Sequence, residues 1–399
     1  MDEEEVERLL KAFPGSKRAA QGVLIDLPGG NVFHVYGRTQ KKELEGLTAQ
    51  EQMLMPFCAK SETLRLRNLR SPYDYLLRVR AEAIADSPRM VRVMAKRRRL
   101  FEATGKAWAL THYYHSHDGF HKAYLERLQK SAARSLKHIP SGLVPIIEAN
   151  AACLASLTGE IVVVSESLYR FYYFMTIAMY GGNFDIDTGD RINSMLIAYR
   201  IMNESESPDF DLDPRGYLPP MVAARLHKIV SEQMQFTYGH EYSHYLCGHT
   251  STESVVLTAA GGDARVFAHR HEYEADANAV RLVQHDPKFA DQIALAGMSV
   301  LVYVSMLMRL KKSYTLKTLP VSETHPDPID RLWALTDYLG TRSPLNKAEV
   351  NHMLVVGEQL LEIFPRLLHS AARADLLTFY GSIYLPGSFK RMKVDRIDF

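Results

Sequence analysis

FTYGHEYSHYLCGH, residues 236–249, sets two histidines four residues apart with a glutamate directly after the first. On a helix, residues four apart share a face, so His240 and His244 can turn a ring nitrogen each toward one metal ion. Glu241 flanks that face and lies too close to His240 to chelate comfortably beside it. It can instead take a proton from a water molecule and later pass it to a leaving amine. The motif falls within a long helix candidate, Met221–Leu246.

A catalytic zinc needs a third protein ligand and an open position. HRHEYEADANAV, residues 269–280, offers candidates. Glu272 and Asp276 are four apart on a helix candidate that runs to Leu282, so they too share a face. Glu272 can bind from this second helix, and Asp276, one turn on, can accept the remaining N–H of a bound histidine and fix its tautomer. Glu274 is about 200° around the helix from Glu272 and is less suited. His269 and His271 stay open as alternative ligands, and acidic residues also favour a helix N-terminus for its dipole alone.

Composition sets the background. A chain of 399 residues, 46% hydrophobic and 24% charged, belongs to the ordinary globular class and can bury a core without disulfides. Its three cysteines, Cys58, Cys153 and Cys247, are odd in number and form no CxxC pair. Neither a disulfide framework nor a cysteine zinc knuckle follows, which fits a reducing compartment. The opening MDEEEVERLL is acidic where a secretory signal is basic. IALAGMSVLVYVSMLM, residues 293–308, falls short of a spanning length and carries Ser299, Tyr303 and Ser305, so it reads as a buried core helix. Leu168–Tyr180, interrupted by Arg170, reads the same way. The expectation is a cytoplasmic protein with no membrane segment.

Three regions follow from the breaks in pattern. Residues 1–140 hold a hairpin candidate over 22–36, turning at Pro28-Gly29-Gly30, and then a basic helical region from about Ala49 to Leu136. Pro140 and Gly142 end it. Residues 141–340 form the catalytic region, with a strand candidate at Gly159–Ser165 and a polar insertion over about 181–220. NFDID and DFDLD in that insertion lack the glycine and glutamate of a calcium loop and read as solvated. Residues 341–399 close the chain with a helical tail, from about Lys347 to Phe379, packed on the core. The fold class is α+β, mostly helical. Between Lys60 and Lys106 thirteen Lys/Arg stand against five Asp/Glu, a surface for nucleic acid or an acidic protein, or else solvated helix faces. No aromatic interleaving or helix-turn-helix pattern accompanies the charge, which favours the helix faces. THYYHSHDGFH, with His112, His115, His117 and His121, has no metal-ligand spacing and reads as a polar helix end.

HEYSH followed by EYEAD resembles the gluzincin metallopeptidases, in particular the family of the CAAX prenyl-protein protease and the stress protease HtpX. Three more segments carry the likeness. His249 follows His244 by five residues, as a further histidine often does in that family. Residues 150–168, NAACLASLTGEIVVVSESL, are similar to an upstream NAxxxxxGxIxVxxxL pattern, with two extra residues before the glycine. THPDPIDRL, residues 324–332, is similar to a downstream THPxxxxRL segment. The resemblance spans roughly residues 147–335. It implies a zincin-type core, an active-site helix plus a small sheet with an edge strand, behind a helical N-terminal region. It further implies one Zn2+ per chain held by His240, His244 and Glu272, with Glu241 as general base and Asp276 and His249 supporting the ligands. His325 would approach the metal or the tetrahedral oxyanion, Arg331 would make a structural ion pair, and Cys247 would be a core residue. The strand with Gly159, Ile161 and Val163 would be the sheet edge that pairs with an extended protein or peptide substrate.

The chain departs from that family in carrying Tyr242 where a small residue is usual, in lacking flanking membrane helices, and in its first 140 residues. The function expected is a zinc-dependent endopeptidase. Its HExxH alone is also similar to that of the phage-exclusion peptidase Lit, so a host-directed phage-defence protease with the same chemistry is one alternative. Another is a zincin-fold regulatory or nucleic-acid-binding module that uses basic residues 60–106. The intact Glu241 argues against a dead scaffold, because nothing structural requires that residue.

Overall fold

The computed structural model describes residues 3–19, 22–26, 32–35, 44–204, 206, 218–250, 269–314, 326–371, 377–379 and 382–384. The chain is α+β and mostly helical. It begins with α1 (Glu3–Ala12) and strands β1 (Lys17–Arg18), β2 (Val23–Asp26) and β3 (Val32–Val35). Helices α2 (Ala49–Gln52), α3 (Lys60–Arg65), α4 (Pro72–Ala85), α5 (Pro88–Glu102), α6 (Leu110–His117), α7 (Phe120–Leu125) and α8 (Lys130–Leu136) follow. Strands β4 (Ser141–Val144), β5 (Ala151–Ser156) and β6 (Gly159–Ser165) lead into α9 (Glu166–Tyr180) and α10 (Thr188–Met202). The motif helix α11 (Pro220–Leu246) is followed by α12 (His269–Arg281), α13 (Pro287–Tyr314), α14 (Pro328–Leu339) and α15 (Lys347–Ala371), then β7 (Leu377–Phe379) and β8 (Ser382–Tyr384).

Local chemistry explains several starts. Thr48 accepts from the Glu51 amide while Glu51 reaches back to the Thr48 amide, a capping box for α2. Pro72 and Pro220 each stand in the first turn of a helix, where a missing N–H costs nothing. The predicted hairpin is present, with Val23 opposite Val35 and Asp26 opposite Val32; its Pro-Gly-Gly turn lies outside the described residues. One hydrophobic core extends from Phe57 to Leu360 and runs on across the Pro140 break. The apolar run at residues 293–308 sits within α13. Among the described residues this is one helix long and apolar enough to cross a membrane, and it is mostly buried against its neighbours. Its polar side chains find partners there: Tyr303 meets Thr176 and Gln233, and Ser299 meets Tyr180.

Two expectations change. More than a third of the polar insertion is helix α10, capped by Asp187, packed on α9 and burying Met195, Leu196, Ile197 and Ile201. The polar residues that dominate the composition cap and flank that buried stripe. Among the described residues the tail is helical to Ala371, and Leu377–Phe379 is not helix but pairs with β8 as a strand.

The sheet of β4, β5 and β6 corrects a third. Its strand order is β4-β6-β5, so Gly159–Ser165, with Gly159, Ile161 and Val163, is the central strand and not the edge. The reason is legible in GEIVVVS: an unbroken apolar run is the mark of a strand covered on both faces. Ile161 and Val163 pack on Leu76 of α4, while Val162 and Val164 face the main core. The β4 edge is closed by side chains. Asp118 accepts from the Leu143 amide at 2.6 Å, and Arg80 donates to the Leu143 carbonyl at 2.9 Å. That leaves β5 outermost on the other side, in contact with α11.

Tyr124 locks the two helices that matter most for function. It is fully buried, its hydroxyl donates to the Ala279 carbonyl of α12 at 2.7 Å, and a Cβ on Gly239 of α11 would meet its ring 2.6 Å away. Gly239 is therefore a close-approach glycine directly before His240. Gly239→Ala is expected to cost about 1–3 kcal/mol through overpacking, read as a lower denaturant midpoint; an unchanged midpoint would show that Tyr124 can yield.

Candidate metal centre

The C-terminal half of α11 is buried almost continuously from Gln233 to His244, so its polar side chains must find partners inside the protein. His240 and His244 turn their Nε2 atoms toward each other at 3.0 Å. Glu272 of α12 closes the triangle, one oxygen 3.5 Å from His240 Nε2 and the other 3.5 Å from His244 Nε2. All three are buried, and their donor atoms lie within 4.8 Å of one another. Two imidazoles and a carboxylate converging in this way can hold a metal ion.

The supports are equally specific. Asp276 Oδ1 lies 2.9 Å from His240 Nδ1, so that ring presents Nε2 to the centre. Arg331, from α14, donates to both oxygens of Asp276 at 2.7 and 2.8 Å and pairs with Glu272 at 2.9 Å. The structural ion pair read from the sequence is thus a clamp on both acids. Burial works against the charge on Arg331, but Asp276, Glu272 and the buried Glu241 outweigh it and leave its pKa raised. Three carboxylates around one guanidinium make this a place for further positive charge.

A helix terminus supplies the fourth wall. Cys247 ends α11, and Gly248 follows with φ +71° in the left-handed region. The His249 amide donates to the His244 carbonyl at 2.8 Å and the Gly248 amide to the Tyr245 carbonyl at 3.0 Å, the paired bonds of a Schellman motif. The turn folds His249 back so that its Nδ1 meets His244 Nδ1 at 3.0 Å. The His249 ring stacks on His271 at 3.9 Å, with its Nε2 3.5 Å from Glu274.

Residues 199–346 match the family described as Peptidase U49. The span takes in α11, α12 and α14, and with them every residue of the triangle and its clamp, and it supports a peptidase function. No curated protein and no solved structure matches the chain.

The remaining predicted residues divide. His325 lies outside the described residues, while Asp327, two positions on, caps α14 through the Ile329 amide. Cys247 is half-buried, not core: its sulfur meets Glu274 at 3.5 Å and accepts from Asn278 at 3.1 Å. Of the histidine cluster, His117 stacks on Tyr113, His115 meets Lys122 and His121 meets Asp118. Much of the basic stretch is engaged in folding. Arg65, Arg67, Arg78 and Arg98 pair with nearby acids, Arg97 pairs with Glu166 in the interior, and Arg80 closes the β4 edge. Sequence reasoning missed the grouping of His271 and Glu274 with His249; the available signal was the Cys-Gly-His turn directly after the helix.

Electrostatics separate the two histidines. Burial disfavours charge on His240, but hydrogen bonds to Asp276 and Glu272, and their charges, carry its pKa up to about 10. Burial and the charge of His240 hold His244 down at about 2. At neutral pH the pair therefore keeps one proton, on His240, which a metal must displace. Metal binding to the metal-free protein is expected to release about one proton at pH 7 and to tighten about tenfold per pH unit up to roughly pH 9. Calorimetry in buffers of different ionisation heat reads this, and a pH-independent affinity would count against the assignment. Arg331→Met is expected to destabilise the metal-free protein by about 3–5 kcal/mol, because it strands two buried carboxylates. Arg331→Lys should recover only part of this, since an ammonium lacks the planar fork; full recovery in urea unfolding would argue against the clamp.

Proposed function

We propose that this chain is a zinc-dependent endopeptidase of the gluzincin type, acting on a protein or peptide substrate. The observation that carries it is the convergence of His240, His244 and Glu272 from two helices, with Asp276 already fixing the His240 tautomer. The 3.0 Å between the two Nε2 atoms is close to the separation of roughly 3.3 Å that tetrahedral ligands at about 2.0–2.1 Å would have. Imidazole and carboxylate donors suit zinc.

When bound there, zinc supplies Lewis-acid polarisation of the scissile carbonyl and lowers the pKa of its water to around 7. The residues of the chain do the rest. Glu241 takes the proton of the attacking water and delivers it to the leaving amine. Asp276 and His249 each hold the Nδ1 side of one ligand histidine, and Arg331 keeps Glu272 and Asp276 in place. His325, which lies outside the described residues, would approach the metal as a fourth ligand or donate to the tetrahedral oxyanion, as the family resemblance implies, unless its role is structural. β5, the outermost strand beside α11, is the strand on which an extended peptide would add by main-chain hydrogen bonds.

Glu241→Gln is expected to keep about one zinc per chain at limiting zinc while cleavage of a denatured protein substrate falls by about 10²–10⁴-fold. Undiminished cleavage would remove Glu241 as the base. Glu272→Ala, made together with Cys247→Ser so that the neighbouring thiol binds no metal, should lose most zinc affinity in the same elemental analysis, and full retention would move the third ligand elsewhere.

A further inference from the structure

Beside the centre lies a second convergence of metal-binding side chains. Cys247, His249 and Glu274 bring one donor atom each within 4.8 Å of one another. Glu274 spans the other two, with Oε1 3.5 Å from the Cys247 sulfur and Oε2 3.5 Å from His249 Nε2. Asn278 donates to that sulfur at 3.1 Å. His271, stacked 15° from parallel, fixes the plane of the His249 ring. The Schellman turn at Gly248 places Cys247 and His249 on the side that faces α12. His249 is buried, Cys247 half-buried and Glu274 exposed, so the group opens to solvent.

We propose that Cys247, His249 and Glu274 form a second site for a soft divalent cation such as zinc, and that filling it antagonises the site of His240, His244 and Glu272. A thiolate, an imidazole and a carboxylate are the donor types zinc prefers. Binding forms a sulfur–metal bond, and the Cys247 proton leaves to solvent. The antagonism comes from the 3.0 Å contact between His244 Nδ1 and His249 Nδ1. A metal on Nε2 of either neutral ring puts a proton on its Nδ1. With metals on both rings two protons would face each other, and only one fits. The second site stands on its own geometry; the antagonism also rests on His244 being a metal ligand. Coupling is reciprocal, so each metal weakens the other by the same factor.

Cobalt(II) titration of the metal-free full-length chain tests both parts. The wild type is expected to take two equivalents, with a thiolate-to-cobalt charge-transfer band appearing with the second. Cys247→Ser should lose that band and that equivalent while the visible bands of the first remain. A single equivalent without the thiolate band, or two equivalents retained in Cys247→Ser, overturns the second site. In Glu272→Ala the thiolate band should appear at about tenfold lower cobalt than in the wild type. An unshifted midpoint overturns the antagonism, and it does so without touching the band that reports the site itself.

Discussion

Everything around the centre depends on a buried guanidinium holding two carboxylates. Charges removed from water are costly unless paired and hydrogen-bonded. Arg331 meets that condition by donating to Asp276 in a fork and reaching Glu272 with its remaining nitrogen. The residues come from α12 and α14, and Asp276 passes the constraint on to His240 in α11. A single cation thus links three helices, orients the Glu272 carboxylate and, through Asp276, fixes the His240 ring. The same grouping explains the local charge balance: a guanidinium that neutralised every acid would leave no electrostatic reason for a metal to enter.

Much of this was legible in the sequence, for physical reasons. The fourfold spacings of His240 with His244 and Glu272 with Asp276 express helical periodicity, and long buried helices obey it closely. The relation between the two pairs was less legible, because it depends on how closely α11 and α12 approach. That distance is set by Gly239 giving room to Tyr124, which lies 115 positions earlier in the chain. Arg331 could be read as one half of an ion pair, but its partners are about 55 residues away, a separation no local pattern encodes.

The misreadings share a cause. GEIVVVS looked like an edge strand because the family resemblance placed it there, whereas its uninterrupted burial is what a central strand shows. Composition hid α10, since the polar residues of that segment cap and flank an apolar stripe. Cys247 looked like core because cysteine usually is; the left-handed turn at Gly248 instead carries it to the margin of α12, against Glu274 and Asn278. In each case the chain's local direction mattered more than its residue types.

The closed β4 edge has a consequence for association. Strand-to-strand growth into a fibre needs two free edges per molecule, one to receive and one to offer. Here Asp118 and Arg80 occupy the main-chain groups of Leu143 on one side, which leaves β5 as the outermost strand on the other among the described residues. Among the described residues, addition of an extended segment to this sheet is therefore confined to one side.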